Sequence, residues 1–469
     1  MRLRSFAVSL LCLVAANAGA QAANPGKSPE LRIDYSQETL PNGLTVLYHV
    51  DHSTPVAAVL LWYNVGSKME QPGRTGFAHL FEHMMFKGSR NVADGQHLAL
   101  LEAAGARTGP DMNGTTDRDR TNYFEQLPSN QLELALWLES DRMGTLTETL
   151  TKEKLDNQRE VVKNERRQSV DNQPYGTWLE KTGELVFPDG HPYHHSVIGS
   201  MTDLSAASVT DVQNFFKTYY APNNAVLVVA GDIDVPQAKA MVRKYFGPIP
   251  RGPVPPRLAN MGLPAIIGRE QRIVVQDALA PAPAVFVAYR VPPAKDRRGE
   301  VASLLAKVIG GGSSSRLDES LVRRQQIATS VTGFNLGLAD GADILVFVAN
   351  GKPGSSPDSL ERALLAELAG ASSFTQSELD RARALERFQF VNGLQTTGGF
   401  GGRADLLARG WTFFHNPNYV NTVLGEIDRV KLADLNALGA ERLVPTNRAI
   451  LVYVPVKKAA AQTSAKRVN

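Results

Sequence analysis

The segment GFAHLFEHMMFKG, residues 76–88, contains His79, Glu82 and His83. An α-helix advances about 100° per residue, so with His79 at 0° Glu82 falls at about 300° and His83 at about 40°. The three polar groups share one face, while Phe77, Leu80, Phe81, Met84, Met85 and Phe86 fill most of the remaining circumference. A helix apolar nearly all round is a buried one, and two imidazoles and a carboxylate inside it are costly unless something pairs with them. A zinc ion is such a partner. Imidazoles at i and i+4 reach one metal, and the carboxylate between them faces a water that the metal activates. A lone histidine would read as an ordinary core residue; the i, i+3, i+4 set does not. His79 and His83 are therefore candidate zinc ligands, and Glu82 is a candidate general base.

Such a helix needs a frame. Residues 44–64 read as two β-rich runs about a polar turn at 51–55, and helical periodicity covers 75–88, 94–105, 130–143 and 151–170. VTDVQNFFKTYYAPNNAVLVVAGDID then reads as a helix, a Pro-Asn-Asn turn and a buried strand. The stretch 249–263, IPRGPVPPRLANMGL, carries four prolines and reads as a linker. Beyond it come strands near 272–276 and 284–290, a helix at 298–309 and Gly310-Gly311-Gly312. VKLADLNALGAERLVPTNRAILVYVP then repeats helix, turn and buried strand, with Pro445 standing 223 residues after Pro222. The recurrence predicts an α+β chain of two homologous halves, each with helices packed on a mainly antiparallel sheet. Their expected limits are 30–248 and 269–456, with a linker at 249–268 and a loose tail at 457–469.

Composition excludes several classes. Among 469 residues, 43% are apolar and 21% charged, which is globular rather than disordered or coiled-coil, and long enough for two large domains. Fifty basic against 47 acidic residues leave +3, which gives no electrostatic reason to expect a nucleic-acid partner. The single cysteine, Cys12, excludes a disulfide framework and a thiolate-rich zinc site. Cys12 lies in a leader-like stretch: Arg2 and Arg4, an apolar run over 6–18, and Ala18-Gly19-Ala20. That run is shorter than the ~20 residues of a membrane helix and reads as a cleavable signal peptide, residues 1–20. No later stretch is long and apolar enough to span a bilayer. The expected location is periplasmic, with extracellular release as the alternative.

His-x-x-Glu-His is the inverted zinc-peptidase signature, and its surroundings resemble the pitrilysin/insulinase family. The likeness is to the two-domain branch that includes the beta-type subunit of the mitochondrial processing peptidase. It extends over Asn113-Gly114-Thr115-Thr116, Asp119 to Phe124, Pro192-Tyr193 to Ile198-Gly199, Asn224-Ala225 to Gly231-Asp232 and Gly310-Gly311-Gly312 to Arg316-Leu317. The resemblance implies one Zn2+ per chain, held by His79, His83 and a glutamate on a later helix. Glu82 would activate water for endopeptidase cleavage of peptides or unfolded protein segments.

The helix at 151–170 offers Glu153, Glu160 and Glu165 as the third ligand. With Leu155 at 0°, Glu165 falls at about 280°, between Val161 at about 240° and Val162 at about 340°, and so towards the core. Glu160 at about 140° and Glu153 at about 160° look away and read as a solvated face, with a contribution of Glu160 left open. The family's Val-Val-x-x-Glu pattern also points to Glu165, and Gln158 stands where relatives often have a second acidic residue. Asn113 matches an asparagine that in relatives lies beside a bound peptide, which pairs as an added strand on a sheet edge. An Asx-turn residue is the other reading of Asn113.

The remaining histidines carry less. His191, His194 and His195 lie in a loop without helical spacing and read as loop packing or solvent-facing; His49, His52, His97 and His415 read as isolated. The glycines around Phe400 read as a flexible turn, or as a loop facing substrate. In active relatives the domain facing the zinc supplies an arginine and, seven residues later, a tyrosine. Here Arg323 or Arg324 fits the arginine, but Thr329 stands where the tyrosine would be. The expected partners are a peptide substrate and a related non-zinc chain that provides the pair, the alternative being a homodimer with another donor. Two rivals are a non-catalytic scaffold or core subunit of the same fold and a secreted peptide binder that holds zinc without cleaving. Retention of His79, Glu82, His83 and Glu165 weighs against the scaffold.

Overall fold

Two sheets with one strand order organise the chain. The first contains β1 (Ser36–Thr39), β2 (Thr45–Val50), β3 (Val56–Tyr63), β4 (Met112–Thr116), β5 (Thr121–Pro128) and β6 (Ala225–Gly231). The second contains β7 (Gln271–Asp277), β8 (Ala284–Val291), β9 (Ala328–Asn335), β10 (Asp343–Gly351) and β11 (Arg448–Pro455). The spatial orders are β1-β2-β6-β3-β5-β4 and β7-β11-β8-β10-β9. Without β1 they are the same pattern, first-fifth-second-fourth-third, and in each sheet only the first-fifth pair is parallel. The chain is thus α+β in two similar halves. The two runs at 44–64 are β2 and β3, and they do not pair with each other: β6 lies between them, parallel to β2 and antiparallel to β3. This computed structural model describes residues 31–456, so the expected leader (1–20) and tail (457–469) lie outside the described residues.

The first half contributes α1 (Phe77–Met84), α2 (Gln96–Ala103), α3 (Leu132–Thr145), α4 (Lys152–Arg166), α5 (Trp178–Val186), α6 (Met201–Ala206), α7 (Val209–Tyr219) and α8 (Val235–Phe246). The second adds α9 (Gly299–Gly310), α10 (Pro357–Ala369), α11 (Gln376–Gly393), α12 (Arg403–Phe414), α13 (Val423–Arg429) and α14 (Leu432–Arg442). α1 follows β3 as α9 follows β8, yet α9 carries no histidine. No helix or strand lies between Phe246 and Gln271.

β3, β6 and β8 are almost uninterrupted apolar runs, VAAVLLWY, AVLVVAG and AVFVAYRV, and nearly every residue in them is buried. A sheet with one wet face alternates, so such runs demand cover on both faces. One face of each sheet packs on its own half's helices: Val59, Leu61 and Val229 meet Leu80 and Phe81 of α1, while Val287 and Leu345 meet Leu304 and Leu305 of α9. The other face is covered by the opposite half. Ala404, Leu407 and Ala408 of α12 close over Leu47, Leu60, Trp62 and Val228, and α5 with Phe187 and Tyr193 closes over Phe286, Ala288 and Tyr453. Trp178 stacks on Phe286 with ring centroids 5.5 Å apart. Each half therefore lends the other a lid.

Candidate metal centre

Helix α1 is fixed at its start by Glu70, whose carboxylate accepts from Gly76 N at 2.8 Å and Ala78 N at 2.7 Å. An acceptor at a helix N-terminus satisfies donors that have no partner within the helix. Gly76 itself sits at φ 87°, with a would-be Cβ 2.8 Å from Ile198 O, so the entry to the helix admits only glycine. Phe77, Leu80, Phe81 and Met84 anchor the helix in the first core, which turns His79 and His83 outward into a cleft.

The two Nε2 atoms lie 3.3 Å apart. Glu165 reaches them from α4: Oε1 is 3.5 Å from His79 Nε2, and Oε2 is 3.2 Å from His83 Nε2. A tetrahedral ion with bonds of about 2.0–2.1 Å holds its ligand atoms about 3.3–3.4 Å apart, so these separations fit a zinc-sized cation. Burial, and then the neighbouring His83, push the His79 imidazole down to about 4, which keeps it in the neutral form that binds metals. Burial works against the charge on Glu165, yet the His83 hydrogen bond and the two imidazoles hold its carboxyl below the usual range. Gln158 of α4 is buried in the wall of the same cleft, and its amide donates to Asn157 Oδ1 at 3.0 Å.

Glu82 lines the same cleft and reaches to β4. It is 8% exposed, and its Oε2 accepts from Thr116 Oγ1 at 2.7 Å. Burial raises its carboxyl above the ordinary range in spite of that bond. Gly114 lies against it, with a would-be Cβ 3.1 Å from Glu82 Cγ. The cleft, about 610 Å3, is lined by residues between His79 and Glu165, including Phe86, Leu98, Asn113 and Thr115. Its wall, β4, is the edge strand of the first sheet. Asn113 is exposed there, and its Oδ1 accepts from the adjacent Gly114 N at 2.9 Å.

Of the residues singled out in the sequence, His79, Glu82, His83, Glu165 and Asn113 thus meet at one cleft. Glu160 is exposed and bound to Lys163, and Glu153 is exposed. Val161 is 41% exposed rather than core, because α4 presents Val162 inward and leaves Glu165 on an open cleft wall. The 191–195 histidines are absorbed in packing: His191 stacks on Phe187, His194 Nδ1 meets Phe187 O at 2.9 Å, and His195 Nε2 meets Glu70 at 3.0 Å. The glycines about Phe400 settle on the first sheet, where Phe400 packs edge-on against Phe124 at 4.8 Å. Arg323 is bound to Asp318 and Thr329 to Asn350 O; neither Arg323, Arg324 nor Thr329 lines this cleft.

Sequence reasoning missed roles for Gly114, Thr116 and Gln158. Once 112–116 is a strand, its period of two puts Gly114 and Thr116 on one face with Glu82. Sequence reasoning also read His97 as isolated. His97 converges with Glu125 and Glu139 in the core, where Arg142 already donates to both glutamates and takes the place of a cation.

Fold and site together define a two-half α+β chain that presents an inverted His-x-x-Glu-His helix and a third carboxylate to an edge-strand cleft. Residues 45–181 match the family described as insulinase (peptidase family M16), and residues 206–386 match its companion, described as the peptidase M16 inactive domain. The chain belongs to this M16 family, the pitrilysin/insulinase peptidases. A zinc protease PqqE of Helicobacter pylori is 29% identical over 380 residues, covering 79% of this chain and 83% of that protein. The beta subunit of the mitochondrial-processing peptidase of Blastocladiella emersonii is 26% identical over 320 residues, 66% of each chain. The crystal structure of a protease from Helicobacter pylori superposes with a TM-score of 0.82 at 27% identity, covering 90% of this chain and 100% of that one.

Proposed function

We propose that the protein is a zinc-dependent endopeptidase acting on peptides or unfolded protein segments, with one zinc ion held by His79, His83 and Glu165. The observation that carries this reading is the convergence of the two imidazole Nε2 atoms and the two Glu165 carboxylate oxygens at separations of 3.2–3.5 Å. A bound zinc ion supplies Lewis acidity, polarising a scissile carbonyl and making a water more acidic. Glu82 takes the proton of the attacking water and returns it to the leaving amine, a task suited to a buried carboxylate whose proton affinity is raised. Thr116 holds that carboxylate by its hydrogen bond. The edge of β4 receives the substrate as an added strand through main-chain bonds, beside Asn113. Glu82→Gln should keep zinc and fold but lose cleavage of a quenched peptide, whereas His79→Ala should lose the metal. Near wild-type turnover in Glu82→Gln would remove the base, and purification without stoichiometric zinc would favour the scaffold.

The cleft is lined by the first half alone, and the family resemblance implies a tyrosine at the position that Thr329 takes here. These observations support a catalytic subunit that works with a related chain supplying the missing donor pair. Loss of one such donor costs about 10²–10³ in rate, so the pure chain should be slow and a co-expressed partner should speed it. Full activity of the single species would favour a homodimer. Export to the periplasm is proposed from the leader-like residues 1–20. Among the described residues, no helix is long and apolar enough to cross a membrane.

A further inference from the structure

The hairpin of β4 and β5 forms the outer edge of the first sheet, and the second half grips it at two places. On α12, one oxygen of Asp405 accepts from Trp62 Nε1 at 2.9 Å and from Asn122 Nδ2 at 3.2 Å, and the other accepts from Gly401 N at 2.9 Å. Asn122, fully buried on β5, stands directly opposite Thr115 of β4. Its Oδ1 accepts from Thr115 Oγ1 at 2.6 Å. A continuous path of hydrogen bonds therefore runs from α12 to a side chain of the cleft-lining strand. At the hairpin turn, Asp119 accepts from Ala339 N at 2.9 Å, a second grip from the other half.

Packing does not call for this carboxylate. Ala404, Leu407 and Ala408 already bury the apolar face of α12, and a half-buried carboxylate costs free energy unless hydrogen-bond donors meet it. Asp405 has three donors, two of them on the first sheet. What the arrangement secures is β4, which lies beside the metal cleft and among the described residues pairs in the sheet with β5 alone. An edge strand has a neighbour on one side only, and a peptide that pairs with it binds more tightly when the strand is fixed in advance.

We propose that Asp405, acting through Asn122 and Thr115, is a positioning residue by which the second half holds the peptide-pairing strand of the first. The inference rests on the reading of β4 as the docking edge. It gives the second half a part in substrate capture within the same chain.

Hydrogen–deuterium exchange on the full chain tests the grip without activity. Asp405→Ala should speed exchange over Met112–Thr116 by about tenfold and leave α1 and β6 unchanged. Thr115→Val, which at nearly constant shape cuts the last link together with the bond that Thr115 Oγ1 accepts from Arg120 Nη1, should act in the same direction and guards against misfolding of the first variant. In cleavage assays, a peptide of about ten residues can run the length of β4, whereas one of about four cannot. For Asp405→Ala, KM of the longer peptide should rise about tenfold with kcat within about twofold, and the shorter should be unaffected. Asp405→Asn, whose amide oxygen still accepts from Trp62 and Asn122, should recover most of the loss. Unchanged exchange over Met112–Thr116, or equal effects on both peptides, overturns the proposal. A wild-type chain that cleaves neither peptide overturns the peptidase reading instead, and the exchange data then decide the grip alone.

Discussion

Replacing Gly114 by alanine tests how closely Glu82 is held. The added Cβ would stand 3.1 Å from Glu82 Cγ and 3.0 Å from Tyr123 Cδ1. Carbon atoms rest about 3.5–4.0 Å apart, so roughly 0.4 Å or more must be recovered on one side. Gly114 is not among the glycines with positive φ, so the backbone itself accepts alanine. Tyr123 cannot yield: its ring is fully buried, packed edge-on against Tyr63 and Phe86, and covered by the Arg142 guanidinium at 4.3 Å. Glu82 has to move. Catalytic groups lose efficiency beyond about 0.5 Å of displacement, and a 1 Å error costs about 10²-fold. The expected fall in kcat is therefore about 10- to 100-fold, with about 1–3 kcal/mol lost from stability through overpacking. Zinc content should hold, because the nearest neighbours of the new methyl are Tyr123 and Glu82 rather than the histidines. Turnover of a quenched peptide, metal analysis and a thermal midpoint measure the three quantities. Unchanged kcat with zinc in place would refute the steric argument, and a parallel loss of zinc would shift the disturbance to the metal helix.

Glu165→Gln should weaken zinc binding by about 100-fold or more, since even outer partners of metal ligands are worth 10–100-fold. Glu160→Gln, exposed and paired with Lys163, should change it by less than about twofold, and the opposite ranking in a zinc titration would move the ligand. Gln158→Leu removes a buried polar side chain from the cleft wall beside the ligands and should weaken zinc by up to about tenfold; an unchanged Kd would show that this side chain does not support the site. Glu378, in the capping box of α11, is held down to about 2, chiefly by the Arg316 guanidinium. Its folded value lies below the ordinary 4.5, so its stabilisation is present above that pH and is lost as pH falls towards 2. Glu378→Gln should flatten the fall of the thermal midpoint over that window, and an undiminished slope would contradict the assignment.

The metal helix was legible because its signal is local. Three ionisable residues at helical spacing inside an apolar run constrain one another before any tertiary contact is known. The duplication was legible at its clearest point, the helix, turn and strand ending in β6 and β11, and the common strand order extends it to whole sheets. β4 was harder. MNGTT has no apolar alternation, and its strand character comes from pairing with β5. The cluster of His97 was hidden because its partners arrive from β5 and α3, far along the chain. Val161 shows the limit of angular reasoning: a helical wheel gives the apolar side of α4 but not how wide a strip of it a neighbour covers. Nor could periodicity assign α5 and α12 to the opposite sheets, since an apolar face does not name its partner.

The exchanged lids have a consequence for how the chain comes together in time. Trp62 and its acceptor Asp405 are 343 residues apart. At about 5–20 residues per second of synthesis, α12 emerges roughly 20–70 s after β3. Until then Leu47, Leu60, Trp62 and Val228 have no cover on their outer side, however well α1 and α3 have packed on the inner one. α5, conversely, is made before the sheet it will cover. Contacts of such sequence separation slow folding and keep sticky surface on view. The first half therefore cannot finish ahead of the second. The chain reaches its native state late and as a whole, and it depends in the interval on whatever keeps a half-made sheet from meeting another copy of itself.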